Sequence, residues 1–153
     1  QEMSRGLGDV YKRQTETGAG KAVGQVLPEL KGKLTANAVR VPTPNVSLAI
    51  INLRFAKDIT LEELNDFLRQ KAFHSDLKEQ IGFTNSPEVV STDFVGDRHA
   101  GIIDSAATIV NGNKCVLYVW YDNEFGYTAQ LLGLAKEMVG LTYQRYPNFS
   151  EST

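Results

Sequence analysis

The segment ATIVNGNKCVLYVWY at residues 107–121 places two β-strand patterns around a turn signal. β-Branched and aromatic residues predominate in 107–110 and 114–121, a composition that is typical of strands. Between them, Asn111-Gly112 is a strong signal for a two-residue hairpin turn. The segment therefore predicts a β-hairpin, and it favours an antiparallel sheet.

Further strand patterns lie on both sides of this hairpin. Residues 34–41 and 46–55 are predicted as strands, and residues 88–91 and 101–104 as shorter ones. The apolar run LAIINL inside 46–55 indicates that this strand is buried on at least one face.

The first of three predicted helices begins at Thr17, which can serve as its N-cap. Apolar residues then recur at spacings of three and four, as expected for one helix face. Pro28 lies late in this pattern and is expected to kink or fray the last turn, because proline has no N–H to donate. Gly32 is the predicted stop.

The second and third helices each follow a capping signal. Thr60 and Glu63 form a capping box that opens a helix reaching about Lys71. Asp122-Asn123 is predicted to cap a final helix that ends near Gly140. The apolar face of this final helix comprises Leu131, Leu134, Ala135, Met138 and Val139.

The order of these elements predicts an α+β fold: a mixed, largely antiparallel sheet with helices packed on one face. Strands come in runs with hairpin turns, and the helices interrupt them at long intervals. There is no regular β-α-β alternation and no Gly-x-Gly-x-x-Gly after a strand. The sequence thus predicts no dinucleotide-binding half in this chain.

Composition narrows the functional classes. The chain has 153 residues, 42% of them hydrophobic and 22% charged, which suits a globular domain. With a net charge of −2 and no run of more than two cations, it is not expected to bind nucleic acid. No apolar stretch has the length of about 20 residues that a membrane helix needs. One cysteine, Cys115, leaves no internal disulfide and no Cys-rich metal site, which favours a cytoplasmic location.

Three segments could hold a ligand. Thr17-Gly18 at a helix start can bind an anion through backbone N–H groups, although such a pair is also an ordinary cap. Arg40, next to a rigid Pro-x-Pro turn, can present its guanidinium to a phosphate or form a surface ion pair. Residues 120–127 place amides and aromatic rings at a strand-to-helix junction, which suits either ligand contact or a packed helix cap.

Taken in order, four motifs are similar to the glyceraldehyde-3-phosphate dehydrogenase family. They are TGAGKAVGQVLPELKGKL at 17–34, RVPTPNVS at 40–47, VVSTDFVGD at 89–97 and WYDNEFGY at 120–127. The resemblance implies that residues 15–142 are part of the family's C-terminal catalytic domain. It also implies that residues 1–14 are a non-matching tail, foreign or disordered, and that residues 143–153 are a polar tail.

The resemblance also implies roles for individual residues. In the family, the Thr-Gly pair and the arginine before the Val-Pro-Thr-Pro turn bind phosphate, and here these residues are Thr17, Gly18 and Arg40. The family asparagine that holds the carboxamide of the nicotinamide ring corresponds to Asn123. Tyr127 corresponds to the tyrosine that shapes the nicotinamide pocket.

The family oxidises an aldehyde through a cysteine thioester, passes hydride to NAD and transfers the acyl group to phosphate. Its Ser-Cys-Thr-Thr-Asn-Cys motif and its activating histidine motif do not occur in this sequence. Cys115 lies in mid-strand and is expected to be buried and inert, and neither His74 nor His99 is assigned a catalytic role. The chain is therefore expected to have no catalytic residue, to bind no metal and to be inactive alone.

The resemblance leaves several alternatives open. The implied partners are glyceraldehyde 3-phosphate, inorganic phosphate and other subunits of a homotetramer. An erythrose-4-phosphate dehydrogenase shares these motifs, and NADP could replace NAD. A non-catalytic module for oligomerisation or interaction is a third possibility.

Overall fold

The chain divides into two compact units, Gln1–Pro42 and Thr43–Thr153. A computed structural model describes residues 18–141. The N-cap predicted at Thr17 and the two predicted tails, residues 1–14 and 143–153, lie outside the described residues.

The first unit contains a short helix, α1 (Ala19–Val26), followed by a 3-10 turn (Pro28–Leu30). The helix ends before Pro28, where proline cannot continue the backbone hydrogen bonds. Gly32 has a φ of 78°, a left-handed conformation that glycine adopts without strain. The predicted effect of Pro28 on the last turn is therefore confirmed. The predicted stop at Gly32 is wrong, because the helix already ends at Val26 and a separate 3-10 turn follows it.

The strand predicted at residues 34–41 is wrong. Only Ala38 makes an isolated bridge, and its neighbours have no regular structure. Val39 and Val41 are 58% and 61% exposed, so their side chains find no covering layer among the described residues. The β-propensity of such residues reflects packing against neighbouring strands, and without that packing it does not produce a strand.

The second unit is built on a four-stranded sheet. Its strands are β1 (Ser47–Arg54), β2 (Ile81–Thr84), β3 (Gly101–Asn111) and β4 (Lys114–Tyr121), in the spatial order β1-β4-β3-β2. β4 pairs antiparallel with both β1 and β3, whereas β2 runs parallel to β3. The sheet is thus mixed and largely antiparallel, and the α+β prediction is confirmed.

The predicted hairpin joins β3 to β4, with its turn one residue later than the sequence suggested. Asn111 pairs with Lys114, so Gly112 and Asn113 are the two central residues. Gly112 has a φ of 58°, and Asn113 has no positive φ. A positive φ at the first central residue alone is the feature of a type II′ turn, which favours glycine there.

Two of the shorter strand predictions merge into one element. Residues 101–104 and 107–110 both belong to β3, and the pairing with β4 shifts register between Asp104 and Ile109. At this irregularity the Thr108 hydroxyl donates to the Asp104 carbonyl at 2.9 Å. Side chains and not the strand ladder therefore satisfy part of the backbone here.

The strand predicted at residues 88–91 is also wrong, and β2 lies where none was predicted. Ser91–Phe94 forms a 3-10 turn, with the Asp93 carboxylate accepting from the N–H of Val90 at 2.8 Å. β2 has only four residues, in a region whose sequence is mostly polar. Its parallel pairing with β3, and not its own composition, makes it a strand.

Helix α2 (Leu61–His74) begins at the predicted capping box and continues three residues beyond its predicted end. It packs on one face of the sheet, where Leu64 joins Cys115 and Leu117 in a buried cluster. A second buried cluster contains Val46, Phe94 and Ile102, with Trp120 packed against it.

Helix α3 (Phe125–Met138) begins beside Asp122, as predicted. The Asp122 Oδ1 atom accepts from the N–H groups of Glu124 and Phe125 at 3.1 and 2.9 Å. The predicted apolar face of the helix is not covered within residues 18–141: Leu134 is 56% exposed and Met138 is 79% exposed.

Candidate functional site

The first candidate contact, Gly18, lies at the N-terminus of α1. It is the N-cap residue, its carbonyl accepts from the N–H of Ala22 at 2.9 Å, and no side chain caps the helix there. The first turn carries no acidic residue. The positive end of the helix dipole is therefore not offset by a carboxylate in that turn, which favours an anion.

The segment that leads to Arg40 runs beside the first turn of α1. A Cβ placed on Gly20 would lie 3.6 Å from the Cβ of Ala36, which is ordinary van der Waals contact. Arg40 itself is exposed and forms no ion pair within residues 18–141. The alternative of a surface ion pair for Arg40 therefore finds no support among the described residues.

Asn123 lies in the turn between β4 and α3, in the second unit. Its side-chain amide donates through Nδ2 to the Ser47 hydroxyl at 2.9 Å, and its side chain is exposed. Ser47 is the first residue of β1, paired with Tyr121 at the end of β4. The hydrogen bond leaves Asn123 Oδ1 with no partner among the described residues, so this oxygen can accept from a ligand.

Tyr127 lies in the first turn of α3, four residues after Asn123. Its side chain is 70% exposed, although tyrosine presents a large apolar ring. The structure thus brings Asn123 and Tyr127 to the same end of one helix. It places Gly18 and Arg40 in the other unit.

Asp122 holds the backbone next to Asn123. Its carboxylate is 3% exposed and accepts from the N–H of Gly96 at 3.0 Å and from the Asn45 amide at 3.1 Å, besides its two bonds to α3. The N–H of Gly96, followed by that of Phe125, keeps the pKa of this carboxyl below its ordinary value against the opposing effect of burial. Asp122 therefore ties three chain segments together around the candidate amide.

Sequence reasoning missed the contribution of Ser47 to this site and found only the capping role of Asp122. The partners Ser47 and Asn45 lie 76 and 77 residues from Asn123 and Asp122. The one available signal was that VPTPNVS and WYDNEFGY flank the ends of two predicted strands. Antiparallel pairing of those strands brings the two motifs together.

Cys115 is buried, as predicted. It is 2% exposed in the cluster with Leu64 and Leu117, and burial raises the pKa of its thiol, partly offset by the N–H of Leu53. The thiolate is the nucleophilic form of cysteine. Burial disfavours reaction at this sulfur in two ways, because it limits access to the atom and raises the pKa of the thiol.

Residues 18–141 contain no group of three or more His, Cys, Asp or Glu side chains that could hold a metal ion. In the same part of the chain, no helix combines the length and the apolar character that crossing a membrane requires.

Comparison with known proteins places the chain in a family. The family described as "Glyceraldehyde 3-phosphate dehydrogenase, C-terminal domain" matches residues 13–123. A glyceraldehyde-3-phosphate dehydrogenase-like protein of Pseudomonas aeruginosa (strain UCBPP-PA14) is 59% identical over 133 residues, covering 87% of this chain and 29% of that protein. The chain belongs to the glyceraldehyde-3-phosphate dehydrogenase family and represents its C-terminal domain.

Two further relatives match most of this chain at lower identity. Glyceraldehyde-3-phosphate dehydrogenase 2 of Mucor circinelloides f. lusitanicus is 50% identical over 121 residues, which are 78% of this chain and 35% of that protein. Glyceraldehyde-3-phosphate dehydrogenase of Borreliella burgdorferi is 45% identical over 128 residues, 82% of this chain and 38% of that protein. The chain therefore spans about a third of the length of the curated relatives that it matches.

Proposed function

We propose that the chain is part of an NAD-dependent, phosphorylating glyceraldehyde-3-phosphate dehydrogenase of glycolysis. It carries the phosphate contacts Thr17, Gly18 and Arg40 and the nicotinamide contacts Asn123 and Tyr127. It carries neither the nucleophile nor the activating base. The parent protein oxidises an aldehyde through a cysteine thioester, and the chain alone is inactive.

The observation that carries this proposal is that Arg40 is exposed and unpaired among the described residues. The segment before it lies against the first turn of α1. A planar guanidinium can make two parallel charge-assisted hydrogen bonds to a phosphate. The N-terminus of a helix adds backbone donors and a favourable dipole. A phosphate monoester or inorganic phosphate is the ligand that suits both groups.

The second unit supports the nicotinamide contact. Asn123 is exposed, its amide is oriented by Ser47, and its Oδ1 atom remains available to a carboxamide N–H. NAD, when bound, supplies the hydride acceptor of the reaction. The contribution of this chain is to orient the ring through Asn123 and to limit its pocket through Tyr127. NADP in place of NAD is compatible with both contacts, because the acidic residue that reads the ribose belongs to the nucleotide-binding domain.

Phosphate-dependent thermal unfolding tests the phosphate site. Phosphate at tens of millimolar should raise the melting temperature by mass action on the folded state. Arg40→Ala should remove most of the increase. Arg54→Ala is the matched control, because Arg54 is also exposed and unpaired within residues 18–141 but lies at the end of β1. An equal phosphate effect in Arg40→Ala and the unaltered chain would contradict the assignment.

Enzyme assays test the proposed absence of a nucleophile. The purified chain should form no NADH from glyceraldehyde 3-phosphate, NAD and inorganic phosphate. Turnover that persists in Cys115→Ala would show that another residue performs the attack, and turnover lost in that variant would assign it to Cys115. An erythrose-4-phosphate dehydrogenase is the alternative within the same enzyme class, and it would share the phosphate result.

A non-catalytic interaction module is the second candidate, favoured by the exposed apolar face of α3. Leu131, Leu134 and Met138 are each more than half exposed. The full-length parent protein would assemble through this face into a homotetramer. It would be located in the cytoplasm. Concentration-dependent self-association of the chain in sedimentation velocity would support this candidate, and a monomer at every concentration would count against it.

A further inference from the structure

A cleft of about 470 Å³ lies between the end of α2, strand β2 and the loop that contains Asp97 and His99. None of the proposed phosphate or nicotinamide contacts lines it. Cavities of about 300–1,000 Å³ are the size that holds small ligands in proteins. The cleft is therefore large enough to hold a molecule of its own.

His99 occupies one wall of the cleft in a fixed orientation. Its Nδ1 lies 2.7 Å from Asp97 Oδ1, and the same oxygen accepts from the backbone N–H of His99 at 2.8 Å. Gly82 makes room for the ring, because a Cβ there would lie 3.2 Å from His99 Nδ1. A carboxylate can only accept, so the Nδ1 atom carries the proton. In the neutral ring, Nε2 is then a hydrogen-bond acceptor.

The Nε2 atom has no hydrogen-bond partner within residues 18–141. The ring is 34% exposed, and Nε2 is not among the buried atoms that lack a partner. In the neutral ring, a solvent-accessible acceptor therefore belongs to a residue that lines the cleft, and a ligand there could donate to it.

Three phenylalanines contribute to the wall, together with charged and polar residues that include Lys78 and Glu79. Phe73 and Phe83 meet edge to face with their centroids 6.1 Å apart, and Phe94 lines the same cleft. Phe73 is 53% exposed, so its ring is open to contact with a ligand. Aromatic rings prefer such edge-to-face and offset contacts, so a further ring can join the pair.

Hydrogen bonds from α3 hold the loop that carries His99 in place. The Gln130 side chain donates to the carbonyls of Arg98 and Glu79, both at 2.9 Å. The missing side chain of Gly126 allows α3 to approach the His99 carbonyl, since a Cβ there would lie 2.7 Å from that oxygen. The wall of the cleft is thus organised before any ligand arrives, which lowers the cost of binding.

We propose that this cleft binds a small phenolic molecule, with its ring against Phe73 and Phe83 and its hydroxyl donating to His99 Nε2. The proposal does not depend on the proposed phosphate and nicotinamide contacts, none of which is among the residues that line the cleft. The aromatic wall selects a planar ring, and the acceptor nitrogen selects a ring that carries an O–H donor.

The test compares phenol with anisole, which has the same ring but no O–H donor. Binding is followed in the ¹⁵N-labelled chain, whose only two histidines are His74 and His99. Phenol should shift the His99 Nε2 resonance and bind about fivefold more tightly than anisole, the preference expected from one hydrogen bond. Equal affinities for the two probes, or no shift at His99 under saturating phenol, would overturn the proposal.

Two variants separate the hydrogen bond from the aromatic contact. His99→Leu removes the acceptor and should bring the ratio of phenol to anisole affinity to about one while anisole still binds. His74→Leu is the matched control and should leave the ratio unchanged, because His74 does not line the cleft. Phe73→Leu should weaken both probes equally. A preference for phenol that persists in His99→Leu would contradict the assigned acceptor, even if the variant is less stable.

Discussion

The Asp122 carboxylate accepts a hydrogen bond from the side-chain amide of Asn45 at 3.1 Å, which joins the turn before β1 to the residue that precedes α3. The N–H groups of Gly96 and Phe125 donate to the same carboxylate. Three segments that are distant in sequence therefore depend on one ionised group. Because Asn123 is its neighbour in the chain, the geometry of the proposed nicotinamide contact depends on it too.

The pH dependence of stability should reveal this role. Hydrogen bonds, chiefly from Gly96, hold the pKa of Asp122 below its unfolded value of about 3.9. A lowered folded-state pKa contributes stability that is present above the unfolded value and is lost as the pH falls through the folded value. Urea unfolding between pH 7 and pH 2 should therefore show a loss of stability on the acid side.

Asp122→Asn should be less stable at neutral pH, and its stability should fall less steeply in acid. Asp76→Asn is the matched control, since it removes the same charge from an exposed side chain. An acid-side slope in Asp122→Asn equal to that of the control would show that Asp122 is not the group that titrates.

Replacing each of two glycines in α3 by alanine should change the stability of the chain in opposite directions. A Cβ on Gly126 would lie 2.7 Å from the His99 carbonyl oxygen, whereas a Cβ on Gly133 meets nothing within 4 Å. Gly126→Ala must shift the backbone and should cost about 1–3 kcal/mol of unfolding free energy. Gly133→Ala should stabilise the chain by about 0.5–1 kcal/mol, because alanine favours the helix. Denaturant unfolding measures both, and a stabilised Gly126→Ala would mean that α3 does not approach His99 this closely.

The rate at which the Cys115 thiol reacts should depend on unfolding of the chain. Cys115 is buried and its pKa is raised by burial, so a disulfide reagent should label the native chain slowly. The rate should increase with urea in parallel with unfolding, reaching that of a free thiol. Cys115→Ser places a hydroxyl in the cluster with Leu64 and Leu117. This variant should lower the free energy of unfolding by about 1–3 kcal/mol. Rapid labelling of the native chain would require Cys115 to be accessible.

The elements that the sequence predicted well are those specified locally. The β3–β4 hairpin and the α2 capping box are each encoded within a few residues, by Gly112 and by Thr60 with Glu63. Strand β2 is different, because its four residues acquire strand structure only by pairing with β3. The residues around Ala38 show the converse, since their apolar character yields no strand without a paired neighbour.

The same distinction applies to the candidate site. The sequence singled out Gly18, Arg40 and Asn123 because each belongs to a short, local motif. The Ser47–Asn123 and Asn45–Asp122 hydrogen bonds could not be found that way, since their partners lie 76 and 77 residues apart. A motif identifies a residue, but the groups that orient its side chain come from the register of the sheet.

The capping box of α2 offers a prediction that concerns the sheet as well as the helix. The Thr60 N–H donates to Glu63 Oε2 at 2.9 Å and the Glu63 N–H donates to Thr60 Oγ1 at 3.2 Å, and the first of these bonds lowers the pKa of Glu63. Thr60→Ala should cost about 1 kcal/mol, as the loss of an N-cap does. Because Leu64 in the next turn packs on Cys115, the variant should also label faster at that thiol under native conditions. Thr92→Ala, an exposed threonine in the 3-10 turn, is the control. A loss of stability in Thr60→Ala without faster labelling would show that the cap supports the helix end but not its contact with the sheet.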